Sequence, residues 1–200
     1  VFGQKTFDLF LFLNGSLGPF LIGAAVATFF TGSMFSLNIM NQVQWASPWY
    51  GLEALLNIRN LALGFTVLFL SRTNGLLYII NTIEDEILIK RSRNRIILNS
   101  ILFLIFFLFF VISLLFSTGF ATEPATGTVT MEKFKYLHNF IQMPLVLIIF
   151  LTGVVNVLYG IGITVFRNSV KGIWFSGAGT VFAVFSLFLI AGFNGTSFYP

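Results

Sequence analysis

Residues 101–116 read ILFLIFFLFFVISLLF, a run without a single charge and apolar on every side. A helix with that surface has no polar stripe to offer water, and a strand built from it lacks the alternation of a half-buried sheet. The run is at home only in a large core or a bilayer. The rest of the chain excludes the core: 200 residues carry 27 phenylalanines, 56% are apolar and only 9% are charged, where soluble chains have about 45–50% and about 25%. A bilayer core about 30 Å thick takes about 20 apolar residues in helical form. Five stretches qualify, at about 6–35, 60–83, 96–117, 137–166 and 173–193. Outer-membrane strands would alternate over about ten residues, which these do not. The expected fold class is therefore all-α: a polytopic membrane helix bundle with five spans, forming one transmembrane domain over 1–200.

The same composition removes whole classes of function. There is no cysteine, hence no disulfide scaffold and no thiolate metal site. A single histidine cannot supply two imidazole ligands to a metal or a haem. The net charge of +4 is informative only through its placement. Lys5, Lys90, Arg91, Arg93, Arg95, Arg167 and Lys171 fall on one side of the alternating spans, and Arg59, Lys133 and Lys135 on the other. The positive-inside bias makes 84–95 and 167–172 cytoplasmic and 36–58 and 118–135 external. The basic excess is a topology signal and does not indicate a nucleic-acid partner. Val1 is not an initiator methionine and Pro200 follows directly on an apolar span, so the chain reads as a piece of a longer membrane protein.

The connections carry further expectations. EDEILIKRSRNR, 84–95, reads as a solvated connector facing anionic headgroups; if helical, it pairs Glu86 with Lys90 at i,i+4. TEPATGTVTMEKF, 122–134, reads as a turn around Pro124 and Gly127 followed by a short β-prone run. Residues 36–57 are amphipathic, with Trp45, Trp49 and Tyr50 placed as an interfacial belt.

Few residues are equipped for chemistry. Arg72 lies within the second span, where a guanidinium costs on the order of 2.5–3.5 kcal/mol, and none of the seven acids is an obvious partner. It either pairs with an acid outside this chain, on a missing helix, a partner subunit or a cofactor, or snorkels from a helix broken at RTNG, 72–75. Glu53, near the outer boundary, can feed protons or meet a quinol headgroup, or be a solvated loop acid. His138 suits an interfacial hydrogen bond better than haem ligation or a proton relay. Pro144 is expected to free the carbonyl of Phe140 and kink the fourth span. The small residues Gly23, Ala24, Ala27, Thr28 and Gly32, and Ser176, Gly179, Thr180 and Ala183, mark faces for close helix approach. No catalytic, cofactor-binding or metal constellation can be assembled, and Arg72 and Glu53 remain as candidates for partner or proton-path contact.

Longer strings say more. GPFLIGAAVATFFTG (18–32), LGFTVLFLSRTNGLLYIIN (63–81), KYLHNFIQMPLVLIIFLTGVV (135–155), KGIWFSGAGTVFAVFSLFLIAGF (171–193) and NGTSFYP (194–200) resemble subunit II of the cytochrome bd quinol oxidases, in order and over essentially the whole chain. The resemblance implies a nine-helix subunit of which this chain covers the fourth to eighth helices. It implies a bacterial cytoplasmic membrane complex that oxidises quinol and reduces dioxygen to water. Two haems b and haem d are expected in the partner, subunit I, with no cofactor bound by this chain. Its surroundings are then subunit I, membrane lipid and the quinol pool. Subunit II is expected to dock through its small-residue faces and shield the haems. The competing reading is a secondary transporter or permease fragment with a mid-membrane site at Arg72 and the RTNG break.

Overall fold

Backbone amides in a bilayer have no water to bond, so each apolar stretch closes its own hydrogen bonds as a helix. The computed structural model, which describes residues 3–123 and 125–196, bears this out. Helix α1 (Gln4–Thr31) leads into a hairpin of β1 (Phe35–Leu37) and β2 (Val43–Trp45), then a 3₁₀ turn at Leu52–Leu56. Helices α2 (Ile58–Thr82) and α3 (Glu86–Leu115) follow, then a hairpin of β3 (Thr118–Thr122) and β4 (Val129–Lys133). Helices α4 (Lys135–Gln142), α5 (Pro144–Phe166) and α6 (Gly172–Gly192) complete the chain. Helices α1, α2, α3, α5 and α6 are long and apolar enough to cross a membrane. The fold is an all-α polytopic bundle with two small β-hairpins.

Local chemistry sets the helix ends. The Asn57 side chain accepts from the Arg59 amide and starts α2, while Asp85 accepts from the Ile87 and Leu88 amides and starts α3, each satisfying orphan first-turn donors. Gly32, at φ 76° and ψ 174°, takes a conformation open to glycine and ends α1.

Three expectations need correction. First, 84–95 is not a connector. The Asp85 cap launches α3 at once, so the basic segment is helical and only residues 83–85 link α2 to α3. Glu86 and Lys90 share that helix without bonding; among the described residues both ion pairs belong to Glu132. Second, the fourth span does not kink at Pro144 but splits there. Pro144, lacking an N–H, is the first residue of α5, and Met143 (φ −117°, ψ 70°) separates it from the short amphipathic α4. Third, α2 runs unbroken through 72–75. The expectation for 122–134 holds at Gly127 and in the run after it, and both connections at this end close as hairpins. The β-prone run is β4 and pairs antiparallel with β3, from Thr118↔Lys133 to Thr122↔Val129, and Gly127 sits at φ 67° in the turn. Pro124 lies outside the described residues, as do the last four residues of the string 194–200.

Packing follows two rules. Helices α5 and α6 touch backbone to backbone: a methyl added at Gly160 would lie 2.5 Å from the Gly172 carbonyl oxygen, and one at Gly179 would lie 2.5 Å from that of Gly153. Likewise Gly23 of α1 lies against α2, 2.7 Å from the Leu63 oxygen by the same measure. Between α2 and α3 the contact is aromatic, with Phe106 stacked on Phe65 and Phe69 at 4.9 and 5.9 Å. The small-residue faces expected to receive a partner are therefore filled within the chain: Gly23, Ala24 and Ala27 are buried, as are Ser176, Gly179 and Ala183.

The two ends of the bundle differ. Arg93 donates to the carbonyl of Asn168 at 3.0 Å, tying the α2–α3 hairpin to the α5–α6 loop at the basic end. Both β-hairpins and α4 lie at the opposite end, where the Thr122 amide donates to Gly195.

Candidate functional site

Each candidate residue lines a cleft, and the clefts lie at opposite ends. At the end bearing the hairpins, a cleft of about 220 Å³ is bounded by the close of α1, the 3₁₀ turn, the start of α2 and Phe120. Glu53 folds back over its own turn, Oε2 accepting from the Gly51 amide at 3.0 Å. Its Oε1 is buried with no hydrogen-bond partner. A carboxylate oxygen shielded from water without a donor is a high-energy acceptor. Asn60, wholly buried on the same wall, donates to the Ala54 carbonyl and accepts from Thr31 at 2.8 Å. The cleft thus holds one unsatisfied acid beside a satisfied amide.

At the basic end, a larger cleft of about 540 Å³ separates α2 from α3. Arg72 and Arg95 line it together with Asn99. The Arg72 guanidinium carbon sits 5.1 Å from the centre of the Phe12 ring of α1, a cation–π contact. None of the ion pairs among the described residues involves Arg72. The 30 residues of α3 run for about 45 Å, about 15 Å more than a bilayer core. The overhang matches the basic 86–95 segment and places the boundary near Ile96. Arg72 shares a cleft with Arg95, one residue before that point on α3, while α2 continues beyond Arg72 through the apolar Leu76, Leu77, Ile79 and Ile80. The unbroken α2 removes the helix break on which a transport site at 72–75 would rest.

His138 is half-exposed on α4, its Nδ1 2.9 Å from Oε1 of Glu132, whose Oε2 also meets the buried Lys135 at 3.1 Å. The His138 hydrogen bond holds the Glu132 carboxyl below its ordinary range; partial burial opposes this and Lys135 reinforces it. The imidazole braces a hairpin to α4, the interfacial bond expected of it. Neighbouring Tyr136 is fully buried, and burial pushes its hydroxyl up to about 12, Arg59 opposing weakly. It stays protonated and donates to the Phe30 carbonyl at 3.3 Å. Among the described residues no three His, Cys, Asp or Glu side chains gather as a metal site would require.

Two arrangements escape a linear reading. Asn74 of α2 donates to Thr180 at 3.3 Å and accepts from Ser176 at 2.6 Å, a polar tie to α6 spanning more than 100 residues. Arg95 reads in sequence as one more member of a basic run, yet it shares a cavity with Arg72. The only linear hint is the apolar spacing of Leu98 and Leu102 on the same face as Arg95.

A family model described as cytochrome bd terminal oxidase subunit II matches residues 2–200. No curated protein matches the chain.

Proposed function

The chain belongs to the cytochrome bd terminal oxidase subunit II family, and from that premise we propose that it is the haem-free subunit that braces a haem-bearing subunit I. It is a multi-pass membrane component of a bd-type oxidase complex. In this reading subunit I holds two haems b and haem d, oxidises quinol and reduces dioxygen to water. The present chain sits beside it in the bacterial cytoplasmic membrane, the 83–85 and 167–171 turns facing the cytoplasm. The observation that carries the reading is the family match over residues 2–200. The engagement of its one histidine with Glu132 supports iron ligation elsewhere.

Docking draws on surfaces the bundle leaves open. Helix α1 buries only Gly23, Ala24, Ala27 and Phe30 and exposes Phe10, Leu11 and Leu17. Gly15 and Gly18, where an added methyl meets nothing within 4 Å, leave notches in the same helix. We read α1 as the partner-facing helix and the Glu53 oxygen as an acceptor for a quinol hydroxyl or a passing proton at the outer surface. The test is affinity purification of the tagged full-length protein from its native membrane. A larger, histidine-bearing membrane protein with a haem d absorption band and quinol-driven oxygen uptake should accompany it; a stable complex without that band overturns the reading.

A further inference from the structure

The α2–α3 cleft holds two cations that form no ion pair among the described residues. Arg72 and Arg95 project into it from facing helices, and no carboxylate lines it. The acids Glu84, Asp85 and Glu86 lie at the helix turn, about 14 Å farther along the hairpin at 1.5 Å per residue. Two like charges bordering one cavity repel, and the cavity is stable when an anion sits between them. Phe12 covers the Arg72 guanidinium, fixing a planar donor fork suited to phosphate oxygens. Apolar side chains flank the arginines on both sides, Leu76 and Ile79 toward the helix turn and Phe69, Leu98 and Leu102 along the hairpin away from it, and the latter three form a track for hydrocarbon. Gly75 keeps the mouth open, since an added methyl there meets nothing within 4 Å.

We propose that this cleft is a binding site for an anionic phospholipid, its phosphate held between Arg72 and Arg95 and an acyl chain lying along Phe69, Leu98 and Leu102. A free phosphate offers the same oxygens, but the apolar track selects the lipid. The site does not depend on which helix meets subunit I.

The test is native mass spectrometry of the full-length protein in its complex, delipidated and titrated with phosphatidylglycerol, with phosphatidylcholine, or with inorganic phosphate. One phosphatidylglycerol should bind with a preference that phosphatidylcholine does not share. At about fivefold per arginine near an anionic headgroup, the R72Q/R95Q double variant should weaken it about 25-fold. Gly75→Leu fills the cleft without changing charge and should weaken binding comparably; it keeps the test open if the double variant fails to fold. Lys90→Gln with Arg91→Gln, on the same helix outside the cleft, should change it less than twofold. Equal losses from the Lys90 and Arg91 pair would mean diffuse surface attraction and overturn the site. Displacement of the lipid by millimolar inorganic phosphate would make it a free-anion site. Unaltered lipid binding with loss of the partner subunit in the R72Q/R95Q variant would assign the arginines to a protein carboxylate.

Discussion

Helices α5 and α6 meet with almost nothing between their backbones, whereas α2 and α3 are held apart by stacked phenylalanines. In the first pair Gly160 and Gly179 meet glycine carbonyls most closely, and Gly153 and Gly172 lie against the Ala183 amide and the Thr164 hydroxyl. In the second, Phe65, Phe69 and Phe106 form a ladder of rings, and toward the basic end beyond it lies the open 540 Å³ cleft. Lipid tails are as apolar as leucine, so neither pair gains from hiding hydrocarbon; both depend on fit and on polar ties. Small residues close a seam along its length, while rings act as spacers and leave room where the ladder stops. The anion-ready cleft is a consequence of the second mode.

The contrast is broken most forcefully at Gly160. Gly160→Leu drives a side chain into the backbone of α6 and should cost about 3 kcal/mol or more, read as a lower thermal midpoint of the detergent-solubilised protein. A midpoint within error of the parent would show that the two backbones do not touch. Phe106→Ala removes the middle rung between α2 and α3 and should cost about 2 kcal/mol, because the lost ring contacts leave a void that only partly relaxes. If that variant matched Gly160→Leu in severity, the ring spacers would be as unforgiving as the glycine seam. Ser176→Ala takes away the hydroxyl that donates to Asn74 and should cost about 1 kcal/mol; double-mutant cycles with Asn74→Leu would isolate the α2–α6 tie. Smallest is Gly177→Ala. This glycine neighbours the seam but faces open space, so the change should be neutral or stabilise by up to about 1 kcal/mol through helix propensity. A large loss there would mean that glycine content, and not contact, governs α6.

The five spans were legible because an unbroken apolar run has only one stable form in a bilayer, whereas the helix starts at Asn57 and Asp85 were missed although their side chains cap their own first turns. Pro144 was ambiguous: a proline inside a helix kinks it and a proline at its first position starts it, and only the neighbouring Met143 conformation decides. The small-residue faces were recognised, but periodicity tells which residues share a face and not which helix fills it. Gly23 goes to α2 and Gly179 to α5, both inside the chain. Arg72 was singled out for its cost, yet its place in one cleft with Arg95 depends on the register of α2 against α3. That information is spread over two helices and absent from either alone. Glu53 reads as a loop acid until the 3₁₀ turn folds it back and buries Oε1.

The account stands on a division of labour in which this chain supports redox chemistry carried by another polypeptide. An absorption and pyridine-haemochrome measurement tests this most directly, comparing the full-length subunit expressed alone with the same subunit co-purified with its partner. The account predicts no haem signal from the subunit alone and haem b and haem d bands in the complex. Stoichiometric haem retained by the subunit expressed alone would contradict it.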